Sequence, residues 1–191
     1  MSLIRRIPLR QMSVFSDLLQ STWQSVKSVC KYEQVDVVCD SYVDSSIKKC
    51  DRQRRCSCEP LELLCFREDI KVPVQFDRFR ASPKNKEMLQ ALIIEYMTYN
   101  TMEENVTVVM SAYVESGGAI IDCTQIHNNE RSVRNELNST TEEADLRMMP
   151  HIYHAVLHGI KRAVVVSNDT DVLALIFFYM PRLQYIGLME M

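Results

Sequence analysis

The sequence predicts an α/β fold: a mainly parallel central sheet flanked by helices, in one domain spanning residues 1–191. Three observations lead there. Segments of helical period alternate with short strand-like runs, the pattern of βαβ units. Those runs are mostly apolar or β-branched, as in Val35–Val38 and Ala163–Val166. The chain of 191 residues, with 47% hydrophobic and 25% charged residues, has ordinary globular composition and the length of a single domain.

The elements follow in order. Residues 15 to 29 place Phe15, Leu18, Leu19, Trp23 and Val26 at helical spacing behind polar start residues. Residues 35 to 40 read as a short strand ending in a carboxylate, and Ser45 or Ser46 is expected to N-cap a basic helix toward Arg55. Residues 59 to 83, with Pro60, Pro73 and Pro83, are expected to form loops around a short strand. A helix over 84–99 lines up Met88, Leu89, Leu92, Ile93 and Tyr96. Strands are expected over 106–112 and 119–123, joined through Gly117-Gly118, and then a polar loop over 126–138. A long helix over 141–158 carries Pro150, which should kink it, and is stopped by Gly159. A strand over 163–166, an apolar helix over 171–179 closed before Pro181, and a last strand over 184–189 complete the chain.

Composition excludes several classes. Four glycines, two of them adjacent, cannot write a glycine-rich phosphate loop or dinucleotide fingerprint. No apolar run approaches the roughly 18 residues of a membrane span. The basic N-terminus has no apolar stretch behind it, so a secretory signal is not expected. Seven cysteines, odd in number and without a C-x-x-C pair, fit a reducing compartment, so the protein is expected to be intracellular, nuclear or cytoplasmic. The sequons at Asn105, Asn138 and Asn168 are then chance matches. Zinc on the cysteines between Cys50 and Cys65 is a weaker idea, because Cys56-Ser57-Cys58 is too tight for a ligand pair.

Net charge is −3, so there is no global basic field. A local one exists, with Lys48, Lys49, Arg52, Arg54 and Arg55 inside eight residues. Its bland reading is a solvated helix face.

The chemistry lies in the acids. In sheets with parallel strands the functional crevice lies beyond the carboxyl ends of the strands. Two strands end in acids there, Val-Val-Cys-Asp40 and Val-Val-Val-Ser-Asn-Asp169-Thr-Asp171, while Glu142-Glu143-Ala144-Asp145 opens the long helix. Carboxylates gathered from separate elements repel unless a cation lies between them. Oxygen ligands of this kind suit Mg²⁺ or Mn²⁺, as one ion or as two ions about 4 Å apart. Local roles compete. Thr140 to Glu143 satisfies the capping-box pattern, Asp145 is favourable against the helix dipole, and Asp169 can N-cap the next helix. Capping explains neither Asp40 nor the second acid of the Asp169/Asp171 pair.

Glu143-Ala144-Asp145, a helix, a β-branched strand and Ser-Asn-Asp169-Thr-Asp171 followed by an apolar helix resemble the internal motif of the flap endonuclease and excision-repair nucleases, which are PIN-like 5′ nucleases. The strand ending at Asp40, followed by Lys48, Lys49 and the arginine run, is similar to the family's strand-Asp segment. Together these cover about a third of the chain, roughly 35–58 and 139–176. The resemblance implies a three-layer, Rossmann-like PIN fold and a metal-dependent nuclease. It makes Asp40, Glu143, Asp145, Asp169 and Asp171 the catalytic and metal-site carboxylates. Lys48, Lys49, Arg52, Arg54 and Arg55 would meet the phosphate backbone, of DNA rather than RNA. The family also has a first-strand Asp and a distal Asp. Here no acid precedes Asp17 and none follows Glu190, so a domain incomplete at both ends is expected. The alternative is a catalytically inactive relative that binds nucleic acid or protein.

Arg147, His151, His154 and His158 form a stripe along the long helix opposite Met149, Ile152 and Val156, and are expected to face solvent. Tyr96, Tyr99 and Tyr113 are expected in the core rather than as base-stacking platforms.

Overall fold

Two very short connections decide the sheet. The strands β2 (Thr107–Ser116) and β3 (Ala119–His127) are separated by two residues, as are β3 and β4 (Glu130–Val133). A link that short can only bring the chain back antiparallel, whereas a parallel return needs a dozen residues or more. The second link is Asn128-Asn129, both with left-handed backbone (φ 48° and 63°), the conformation that lets a two-residue turn follow the twist of its strands.

This is a computed structural model, describing residues 12–28, 32–41, 59–63, 66–100, 106–116, 119–167, 169–183 and 189–190. Helix α1 (Phe15–Lys27) precedes β1 (Gln34–Val38), and helices α2 (Phe76–Ala81) and α3 (Pro83–Asn100) lead into β2. After β4 come a 3₁₀ turn (Asn135–Leu137), α4 (Ala144–Leu157), β5 (Val165–Val166), α5 (Thr170–Leu183) and β6 (Met189–Glu190). The four-stranded sheet has the order β1-β2-β3-β4. β1 runs parallel to β2, from Gln34 beside Thr107 to Val38 beside Ser111, and the other two pairs are antiparallel. The sheet is therefore mixed, which corrects the expectation of a mainly parallel one. β5 and β6 pair in parallel as a separate two-stranded sheet.

Helices cover the sheet on both faces. On one, Val35, Val37, Val108, Met110 and Ile126 pack against Phe15, Leu18, Leu19 and Trp23 of α1 and Leu89, Ile93 and Met97 of α3. Burying each such side chain contributes about 1.5–3 kcal/mol. Phe66, Phe76 and Phe79 extend this core through ring contacts of 4.5–5.6 Å with Phe15 and one another. Asp17 accepts the amides of Ser13 (2.8 Å) and Val14 (3.2 Å), closing the start of α1. On the other face lie a small cluster of Val109, Cys123 and Leu137, and helix α4, whose Ile152 packs against Val172 and Ile176 of α5.

Several boundaries differ from expectation. The polar stretch after Ile126 is not a loop but the end of β3, the strand β4 and a 3₁₀ turn. Among the described residues of 59–83 there is no strand, only an isolated bridge from Lys71 to Val14, and Phe76–Ala81 is helical. Helix α4 begins at Ala144 rather than residue 141 and passes through Pro150, and α5 continues past Pro181 to Leu183. The end of α4 is as expected. Gly159 has φ +75°, its amide donates to Val156 O (3.0 Å) and that of Ile160 to Ala155 O (3.0 Å), satisfying the last carbonyls.

Candidate functional site

Strand β1 delivers Asp40 two residues beyond its end. The backbone there is held from three directions. Cys39 N–H donates to Ser111 O on β2 (2.8 Å), Ser41 N–H donates to Glu142 O (2.8 Å), and Gln90 Nε2 of α3 donates to Asp40 O (3.1 Å). The Asp40 carboxylate then accepts the N–H of Ala144, the first residue of α4, at 3.1 Å. Residues 104 apart in sequence thus meet at one helix N-terminus, where the positive end of the dipole and unsatisfied amides favour an anion.

This contact replaces the expected capping box. Glu143 is the N-cap residue, extended at φ −87° and ψ 132°, and its side chain makes no capping bond. Asp145 lies half-buried in the first turn of α4. Its carboxyl is pushed above the ordinary range by burial first, then by the negative charges of Asp169, Asp40 and Glu143. Four of the five expected acids therefore share one electrostatic neighbourhood. Asp169 is exposed and N-caps α5, its Oδ1 accepting the N–H of Asp171 (3.0 Å) while its own N–H donates to Ser167 Oγ (3.1 Å). Asp171 is exposed in that first turn, and no hydrogen bond among the described residues joins its carboxylate to the other four acids. Among the described residues, no group of three or more His, Cys, Asp or Glu side chains is arranged to hold a metal ion.

Beneath these acids lies a buried polar network absent from the sequence-based reading. Arg147 and His151, expected at the surface, are 1% and 5% exposed. Their side of α4 faces the sheet, and the sheet supplies acids to receive them. Arg147 pairs with Asp122 of β3 and donates to Ser111 Oγ (2.5 Å) and Thr141 O (3.2 Å). His151 Nδ1 is 2.7 Å from Asp36 Oδ2 of β1. The register of β2 and β3 shifts between Ser111 and Val114, so that Ala112 and Tyr113 oppose Asp122 alone in a bulge. Asp122 also accepts the N–H of Ser139 (2.7 Å). A signal for this existed. Val-Asp36-Val and Ile-Asp122-Cys each set a carboxylate inside an apolar strand, and a buried carboxylate demands a partner. Burial in this region pushes the Cys39 thiol up and that of Cys123 up to about 12. Farther along α4, His154 is half-buried between Arg134 (3.4 Å) and Glu136 (3.8 Å), and burial followed by His158 lowers its pKa; His158 itself is exposed. Tyr96 packs against the core, whereas Tyr99 is 69% exposed.

Lys48, Lys49, Arg52, Arg54 and Arg55 lie outside the described residues, as do Cys30, Cys50, Cys56, Cys58, Cys65, Asn105 and Asn168. Among the described residues no helix is long and apolar enough to cross a membrane. No protein-family model, curated protein or solved structure compared with the chain matches it.

Proposed function

We propose that the chain is a divalent-metal-dependent nuclease domain of PIN-like type, hydrolysing phosphodiester bonds of DNA in preference to RNA. One observation carries this reading: the negative charges of Asp40, Glu143 and Asp169, from three separated segments, all bear on the half-buried Asp145, and Asp40 meets the start of the same helix. Capping accounts for the contacts of Asp40 and Asp169. It does not explain why the half-buried Asp145 is set among the charges of three further acids. The donor set fits a hard cation, being carboxylate oxygen throughout, which suits Mg²⁺ or Mn²⁺ and not zinc.

Asp40, Glu143, Asp145 and Asp169 would hold the ion. Such an ion, when bound, polarises a phosphoryl oxygen and lowers the pKa of its water. The protein's own contribution is orientation. Asp40 is fixed by the bonds of its neighbours Cys39 to Ser111 and Ser41 to Glu142 and by Gln90 on its own carbonyl, so one ligand is preset. Asp145 holds its proton more tightly than an ordinary carboxyl, so cation binding competes with that proton and strengthens as pH rises. Lys48, Lys49, Arg52, Arg54 and Arg55, following Asp40 in the chain, are assigned the substrate phosphates.

A second reading, an inactive PIN-like module binding nucleic acid or protein, is favoured by one observation. Asp40 and Asp169 each already spend a carboxylate oxygen on a helix amide. Cleavage of flapped and single-stranded DNA in Mn²⁺ separates the two. The nuclease reading expects cleavage that falls at least about 100-fold in Asp145→Asn, more than the loss of an outer-shell group gives. Salt-sensitive binding without metal and without cleavage would establish the second reading instead.

A further inference from the structure

We propose that Arg147, locked to Asp122 and Ser111, is the positioning residue of the acidic site, setting where α4 presents Glu143 and Asp145 relative to Asp40. This rests on the reading of that site as a cation site.

The residues form a closed circuit. Ser111 is its pivot, because its carbonyl accepts Cys39 N–H, one residue before Asp40, while its hydroxyl accepts Arg147 Nη2. Asp40 reaches α4 by accepting Ala144 N–H, and Arg147 N–H donates to Glu143 O (3.0 Å), one helical turn below. From Arg147 the circuit returns to Ser111. A second loop ties down the approach to α4. Arg147 Nη1 donates to Thr141 O, and Asp122 accepts Ser139 N–H with the oxygen not used by Arg147. Two strands, the lead-in segment and the helix thus converge on one guanidinium.

Burial and chemistry argue that this is more than packing. Arg147 is one of the largest fully buried side chains among the described residues, and its charge is consumed by Asp122, so it offers no charge to a substrate phosphate. A buried ion pair is weak evidence for stability, since apolar residues of similar volume commonly do as well. What a planar fork provides is fixed geometry toward several acceptors at once, which a lysine cannot reproduce. Here those acceptors are the groups that fix Asp40 and α4.

The test uses the full chain, with Arg147→Lys, Asp122→Asn and the milder Ser111→Ala, which leaves the ion pair intact. Mn²⁺ affinity is measured by titration calorimetry at a temperature where circular dichroism shows each protein folded. Amide exchange at Ser41 and Ala144 is followed by NMR. Positioning predicts at least tenfold weaker Mn²⁺ binding and faster exchange of both amides in Arg147→Lys and Asp122→Asn, with a smaller shift the same way in Ser111→Ala. Should the first two variants not fold, Ser111→Ala alone decides. Folded variants with wild-type affinity and unchanged exchange would overturn the proposal, leaving Arg147 a stability element. A wild-type chain that binds no Mn²⁺, with exchange still accelerated in the variants, would overturn the cation reading while sustaining the positioning one.

Discussion

Asp145 stands in the first turn of α4, where the helix dipole favours a negative charge, yet its carboxyl is pushed upward by burial and by Asp169, Asp40 and Glu143. A carboxyl whose pKa is raised on folding contributes stability below its unfolded pKa and loses it as pH rises through the folded value. At neutral pH ionised Asp145 is thus a net burden on the fold. Asp145→Asn should raise the melting temperature at pH 7 by a few degrees, a gain that shrinks toward pH 3 where the wild-type carboxyl is protonated. Thermal scans across pH would show this. A loss of stability at pH 7 would mean that Asp145 is structurally satisfied. Asp40, Glu143, Asp145 and Asp169 could be singled out in the sequence because each follows a strand or opens a helix. Arg147 and His151 were not readable as buried groups. Helical spacing shows that they share a face with His154, but whether that face meets water depends on Asp36 and Asp122, contributed by distant strands.

At the level of elements, the longer helices were legible because their apolar residues recur at helical period, whereas the short Phe76–Ala81 helix was not and α5 ran past its expected stop before Pro181. The stop of α4 at Gly159 was legible. With φ +75° and no atom within 4 Å of where a Cβ would lie, the cost of a side chain there is purely conformational. Gly159→Ala should therefore destabilise the fold by about 1 kcal/mol, and Gly159→Asn by less, in urea unfolding. Equal stability of all three would show that the end of α4 is not held by this turn. The strand β4 was missed because Glu130–Val133 is exposed throughout and lacks the alternation of a half-buried strand. Its hairpin signal was Asn128-Asn129, a pair tolerant of left-handed backbone. The short link between β2 and β3 likewise already implied an antiparallel return, and the alternation of helices and strands obscured it.

Across the whole molecule, α4 is the shared element. Its polar side docks on the sheet through Arg147 and His151, its apolar side carries α5 through Ile152, and its N-terminus meets Asp40. This arrangement brings the start of α5, with Asp169, within electrostatic reach of Asp145 although β5 lies outside the four-stranded sheet. The sheet that results is mixed, so the proposed PIN-like reading rests on the acids and their order in the sequence rather than on strand direction. The most direct test of the acidic site is a crystal of the full chain grown with Mn²⁺ and measured for anomalous scattering at the manganese edge. The expected result is a peak within coordinating distance of Asp145 and at least two of Asp40, Glu143 and Asp169. A fully occupied peak elsewhere, or none at Mn²⁺ concentrations that saturate ordinary carboxylate sites, would contradict it.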